Sequence, residues 1–252
     1  MKIYDQLRNT IREKGAAYYI LIDPDKLPIE KTGKFVQHCE KVGVDGILIG
    51  GSLMVKGDLD ESIKVVKKHC QLPVVIFPGS VNQVSQFADA LLFISLISGR
   101  NAEHLIGKHV QAAPLLKRYN LEAISTGYML IESGQTTTAE YISESKPIPR
   151  NKPEIATATA LAGEYLGMKL IYLEGGSGAE NSVPTEIIES VSKNVNIPVI
   201  VGGGIKTPNE AREKVDAGAS VIITGNFFED ENNWDLISDF AFAVHNPKQI
   251  SV

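Results

Sequence analysis

Residues 170–226 read LIYLEGGSGAENSVPTEIIESVSKNVNIPVIVGGGIKTPNEAREKVDAGASVIITGN. Three short apolar runs, 170–174, 198–201 and 220–224, each end in a Gly-bearing turn. They are near-continuous in Ile, Leu, Val and Tyr rather than alternating, the mark of parallel strands covered on both faces. Between them Ile187, Val191 and Val195 repeat at steps of four, as on the buried stripe of a helix. Pro184 and Pro208 fall near helix starts, where a missing N–H costs nothing, and Thr185 and Thr207 are placed to cap. The repeating unit is strand, Gly-rich turn, helix.

The same unit recurs upstream. Apolar runs at 18–23, 46–50, 73–77, 90–95 and 122–130 bring the strand count to eight, and Leu59, Ile63, Val66 and Cys70 trace one of the helices between them. Eight βα units predict an α/β fold, a (β/α)8 TIM barrel, filling residues 1–252 as a single domain. A doubly wound open sheet is the alternative; no GxGxxG follows the first strand to support it. Two spacings are abnormal. Only 17 residues separate the strand starts at 73 and 90, so the third helix is missing or replaced by an extended segment around 81–87. The starts at 122 and 170 lie 48 residues apart, so an insertion follows strand five. This stretch, 133–150, is rich in Thr, Ser and charge and reads as a mobile cover over one end of the barrel.

Composition narrows the function classes. The chain of 252 residues carries 25 Lys and Arg against 30 Asp and Glu, a net charge of −5, which argues against a general nucleic-acid binder. A chain this long buries a sizeable core without a disulfide or metal staple. Its apolar runs, such as 16–22, fall far short of the ~18–20 residues of a membrane helix. The N-terminal MKIYDQLRNTIREKG is charged throughout, so no secretory signal is expected. Cys39 and Cys70 have no metal-site spacing and read as reduced core thiols, which predicts a cytoplasmic protein.

In a barrel the chemistry sits at the C-terminal ends of the strands. There Gly203, Gly204, Gly225 and Asn226, with Ser177 and Gly178, form a candidate phosphate cradle, because Gly lets backbone N–H groups approach an anion. The plainer reading is that these glycines only permit tight turns. Asp23 ends an apolar strand and needs a cation, either Lys26 nearby or a divalent metal shared with the Ser52 hydroxyl. Glu174 stands beside the cradle as a candidate general base or, alternatively, a hydrogen-bond anchor; Tyr172 faces the same side of the strand. His38, His69, His104, His109 and His245 fall on helical segments and read as surface residues. Trp234 reads as packing against the barrel wall, and Arg100 as a second anion contact or surface charge.

Taken together and in order, YYILIDPDK, GILIGGS, FPGS, LISGRN, STGYMLIESG, YLEGGSG, VGGGI and ITGN closely resemble the geranylgeranylglyceryl phosphate synthases over nearly the whole chain. A missing third helix is also a feature of that family. The resemblance implies a Mg²⁺-dependent prenyltransferase of ether-lipid biosynthesis. In it the 3-hydroxyl of sn-glycerol 1-phosphate attacks C1 of geranylgeranyl diphosphate and diphosphate is released. Asp23 and Ser52 match the family's magnesium positions, although some members have Thr in place of Ser52. Tyr172, Leu173, Glu174, Gly175, Gly176, Ser177 and Gly178, with Gly203, Gly204, Gly225 and Asn226, match its glycerol-phosphate site. The stretch SGRNAEHLIGKHV resembles the C20-using group rather than the heptaprenyl-using one. The apolar tail would lie in the gap left by the third helix, near 81–93. The family forms dimers and hexamers, so a homo-oligomer is expected. The alternatives are a longer prenyl donor, another phosphate-using barrel enzyme such as an isomerase or lyase, and a non-catalytic phosphate binder.

Overall fold

The computed structural model describes residues 1–245. After α1 (Ile3–Lys14), eight parallel strands follow in chain order: β1 (Ala17–Ile22), β2 (Gly46–Ile49), β3 (Val74–Ile76), β4 (Ala90–Leu96), β5 (Glu122–Leu130), β6 (Leu170–Glu174), β7 (Val199–Gly202) and β8 (Val221–Thr224). They close into a barrel, with Thr224 of β8 opposite Ile20 of β1, and this closure excludes the open doubly wound sheet. The covering helices are α2 (Ile29–Lys41), α3 (Leu59–His69), α4 (Lys108–Tyr119), α5 (Thr138–Ser143), α6 (Pro153–Tyr165), α7 (Thr185–Ser192), α8 (Pro208–Asp216) and α9 (Ile237–His245). None is long and apolar enough to cross a membrane.

Strand alternation splits the core into two layers. On β1, Tyr18, Ile20 and Ile22 pack outward beneath the helices, while Ala17 and Tyr19 point into the barrel. The interior is filled by Leu48, Val75, Leu92, Ile124, Ile200 and Ile223 among others, so it is a packed core and not a pore. α1, which the strand pattern does not reveal, plugs the N-terminal end with Leu7. The Ile3 N–H anchors it by donating to the Glu122 carboxylate at 2.6 Å.

No helix joins β3 to β4, as the spacing predicts. In its place Gln83, 3 % exposed, accepts from the N–H groups of Gly51 and Gly79 and donates to the Gly51 carbonyl at 2.8 Å. Thr207 caps α8 in a reciprocal box with Glu210. Thr185 is corrected from a cap to the first helical residue: Pro184 holds the cap position, and the Thr185 hydroxyl bonds Glu186 instead.

The insertion 133–150 does cover the C-terminal end of the barrel, where Ala139, Ile142 and Ser143 face the cavity, and it has structure of its own. It contains α5, capped by Thr137, and a parallel bridge between Ile131 and Ile148. Arg150 holds its end by donating to the Glu132 carbonyl at 2.9 Å. Four of its Ser and Thr residues, Ser133, Thr137, Ser143 and Ser145, are buried, while Thr136 and Thr138 are exposed. Cys39 and Cys70 are free and buried.

Candidate active site

A cavity of about 400 Å³ opens at the C-terminal end of the barrel, within the range of small-molecule sites. Three aromatic rings from inward-facing positions form its lower wall. Phe77 stacks on Tyr172 with centroids 5.3 Å apart, and Tyr128 meets Tyr172 edge-on at 5.2 Å. Burial raises both tyrosines well above their ordinary range, so their hydroxyls stay protonated.

Glu174 is the last residue of β6, two positions beyond Tyr172 and therefore on the same inward face. It is 5 % exposed, and burial raises its carboxyl to about 7 despite hydrogen bonds from the Gly176 N–H and the Tyr172 hydroxyl. Gly176 N–H donates to Oε1 at 2.6 Å. β7 pairs Gly202 opposite Glu174, and the next residue, Gly203, turns at φ +81°. A Cβ on Gly203 would stand 2.3 Å from Glu174 Oε1, so only glycine lets the two turns close over the carboxylate.

Of the sequence-derived cradle, Gly176, Ser177, Gly178, Gly203, Gly204, Gly225 and Asn226 line the cavity with Tyr172 and Glu174. Ser177 Oγ donates to Asn226 Oδ1 at 3.0 Å, tying the β6 and β8 turns together. Leu173 and Gly175 do not line it. Leu173 alternates outward into the helix layer, and the Gly175 N–H is committed to the Gly202 carbonyl at 2.9 Å. Gly225 is not left-handed, standing at φ −152° and ψ −86°; a Cβ there would lie 3.2 Å from Leu21 of β1.

Asp23 and Ser52 line the opposite side of the same cavity. Burial pushes the Asp23 carboxyl above its ordinary range, while the Asp25 N–H and Lys26 pull it down. Lys26 Nζ lies 3.8 Å from Asp23 Oδ2 and 3.2 Å from Glu229 Oε1, so the lysine bridges two carboxylates. Among the described residues no group of three or more His, Cys, Asp and Glu is arranged to hold a metal. Any ion here would rest on Asp23 and a hydroxyl, with water and substrate completing the shell.

Several residues at the site escape a strand-end reading. Glu229 comes from a short turn after β8 with no sequence signal. Thr126–Tyr128 lie within β5 rather than at its end; Tyr128 reaches the cavity because it pairs with Tyr172, whereas Thr126 is buried in the wall. The surface reading of the histidines is corrected for His109, which is buried; His38, His69, His104 and His245 are half-buried at the surface. His109 is 7 % exposed, with Nε2 3.1 Å from Ser95 Oγ; His38 bonds the Trp234 carbonyl, His69 the Val65 carbonyl and His245 the Asp45 carboxylate. His104 lines the cavity. Trp234 packs on Phe35 of α2, with centroids 4.9 Å apart. Arg100 donates to the carbonyls of Ile97 and Gly99 and is turned to its own loop, not to a second anion.

A second recess of about 100 Å³ adjoins the cavity, sharing Pro78, Gly79, Ile94, Leu96 and His104 with it. Val81, Val84, Leu91 and Phe93 line it, in the gap where a third helix would lie.

Comparison with known proteins gives one pattern. The PcrB family matches residues 8–243. A geranylgeranylglyceryl phosphate synthase from Chitinophaga pinensis is 46% identical over 244 residues, covering 97% of this chain and 96% of that one. One from Pyrococcus furiosus is 45% identical over 86% of each chain. The crystal structure of (S)-3-O-geranylgeranylglyceryl phosphate synthase from Thermoplasma acidophilum with sn-glycerol-1-phosphate superposes with a TM-score of 0.92. Its identity is 32%, over 98% of this chain and 99% of that one.

Proposed function

The chain belongs to the PcrB family, and we propose that it is a geranylgeranylglyceryl phosphate synthase, a prenyltransferase joining sn-glycerol 1-phosphate to geranylgeranyl diphosphate. The observation that carries this reading is the position of Glu174, a buried carboxylate with a glycine cradle beside it and an apolar recess adjoining its cavity. A carboxyl raised to about 7 is half ionised at neutral pH, where a general base works best.

In this reaction the cradle of Gly203, Gly204, Gly225 and Asn226 holds the phosphate through backbone N–H groups and the Asn226 amide. Glu174 takes the proton of the glycerol 3-hydroxyl as that oxygen bonds to C1 of the donor. The C1–O bond breaks, and its electron pair leaves with diphosphate. Tyr172, protonated, holds the Glu174 carboxylate in place. The recess at 81–93 takes the isoprenoid tail, which leaves C1 facing the hydroxyl.

Asp23 and Ser52 fit Mg²⁺: they are hard oxygen donors, and among the described residues the half-buried Asp23 has Lys26 as its one charged counterpart within 4 Å. The chemistry such an ion supplies is neutralisation of the departing diphosphate. Lys26, tethered by Glu229, adds a second positive charge at the same edge. The C-terminal end of α6 leaves Tyr165 and Leu166 82% and 77% exposed, an apolar surface that supports assembly as a dimer or hexamer. Light scattering of the purified protein measures that state.

The test is incubation with labelled sn-glycerol 1-phosphate and C15, C20 or C35 diphosphate, with and without EDTA. We expect ether product with the C20 donor, abolished by EDTA and restored by Mg²⁺. No ether product with any donor overturns the reading; preference for C35 keeps the reaction and changes the donor.

A further inference from the structure

The turn after β1 reads Asp23-Pro24-Asp25-Lys26, which offers two carboxylates two residues apart. The structure gives them different work. Asp23 faces the cavity. Asp25 turns to the neighbouring β2–α3 loop, where Oδ2 accepts the Val55 N–H at 2.7 Å and Oδ1 accepts those of Lys56 and Gly57 at 2.9 and 2.5 Å. Three successive N–H groups converging on one anion form a nest. The Asp25 N–H in turn donates to Asp23 Oδ1 at 3.0 Å.

From this geometry we infer that Asp25 is a positioning residue, stapling the loop that carries Ser52 to the turn that carries Asp23. The inference rests on reading Asp23 and Ser52 as the metal-side pair. The connection runs without a gap from the amides of 55–57 to the Asp25 carboxylate, then through the Asp25 N–H to Asp23. The two turns are in close contact, since a Cβ on Gly57 would stand 2.6 Å from Pro24 Cβ. Leu53 and Val55 are 60% and 73% exposed, so Met54 anchors this stretch in the core and the rest of the loop leans on polar contacts. Gln83 holds the near end of the loop at Gly51, and Asp25 holds the far end, with Ser52 between them. Lys26 has no share in this, because its ammonium goes to Glu229 and Asp23.

The test uses the full chain and Mn²⁺ alone as probe, read by electron paramagnetic resonance, in the parent, Asp25→Ala, Ser52→Ala and the double variant. Loss of an outer partner of a metal ligand typically weakens metal binding about 10–100-fold. We expect that loss in Asp25→Ala, together with faster amide exchange at 55–57 and an unchanged dissociation constant for sn-glycerol 1-phosphate. Because Asp25 acts through Ser52, the double variant should bind Mn²⁺ little worse than Ser52→Ala alone. Asp25→Asn keeps the oxygen facing Lys56 and Gly57 and should be intermediate; it carries the test if the alanine variant does not fold. Parent-like Mn²⁺ affinity in both Asp25 variants, or fully additive losses in the double variant, overturns the inference alone. A parent that binds no Mn²⁺ overturns the metal-side reading and this inference with it.

Discussion

Burial holds the Glu174 carboxyl near neutrality, and its neighbours are glycines that no other residue could replace without moving it. Glu174→Gln keeps the shape and removes the basicity. Ether formation measured before the steady state should slow by about 10²–10⁴-fold, the usual contribution of a general base. The donor KM should change little, and Glu174→Asp should fall between. A parent-like rate in Glu174→Gln would reduce the residue to an anchor. Gly202 offers a second test, since a Cβ there would stand 2.5 Å from the Tyr172 hydroxyl. Gly202→Ala should push that hydroxyl off Glu174 and lower kcat, and overpacking the buried ring should cost about 1–3 kcal/mol of stability; kinetics beside a melting curve checks both. Glu174, Asp23 and the Gly clusters are legible in the sequence because each interrupts an apolar strand at its end. Glu229 and Gln83 are not, because one ends a short 3-10 turn and the other lies in a loop, and each is brought to the site only by closure of the barrel.

The connection between β3 and β4 shows what one element contributes by its absence. Gln83 stands in for the missing helix by satisfying two backbone N–H groups and one carbonyl. Leaving such buried groups unpaired costs about 1–3 kcal/mol. Gln83→Ala should therefore lower the unfolding free energy by that order, as urea denaturation would read. The space left open becomes the apolar recess, with Ala112 of α4 in its lining. Ala112→Phe should fill it and shift donor preference toward C15, tested by competition between C15 and C20 diphosphates; unchanged preference would move the tail elsewhere. The 17-residue spacing reveals the missing helix, but no spacing reveals that the insertion 133–150 folds into α5 and packs Thr137 against Gly176. Its partners lie in the β6 turn, more than 30 residues away in sequence.

At the scale of the molecule, the two ends of the barrel respond to pH in opposite directions. At the N-terminal end burial would raise Asp45, but His245, Lys14 and the Tyr18 N–H together outweigh it and leave it lowered. A lowered carboxyl contributes stability above its unfolded value, lost as pH falls through its folded one. Glu174 is the reverse case, raised from 4.5 to about 7. Its native state binds a proton more tightly than the unfolded chain does, so that stability is full below 4.5 and is lost as pH rises toward 7. At about 1.4 kcal/mol for each pH unit, the loss is on the order of 3 kcal/mol. Stability measured from pH 4 to 8 should decline across this window in the parent and decline less in Glu174→Gln. A parallel decline in both would assign the slope to other groups.

The sequence by itself determined the barrel and the missing helix, and with them the strand ends at which a barrel builds its site. These follow from periodicity and spacing, which depend on neighbours along the chain. Only the tertiary structure decided which strand-end residues face one another. Leu173 and Glu174 are adjacent in sequence, yet one enters the helix layer and the other the cavity. Asp23 and Asp25 have the same chemistry, yet one faces the cavity and the other clamps a loop. Each outcome depends on strand register and on contacts between turns distant in the chain, and those are fixed only once the eight strands have closed.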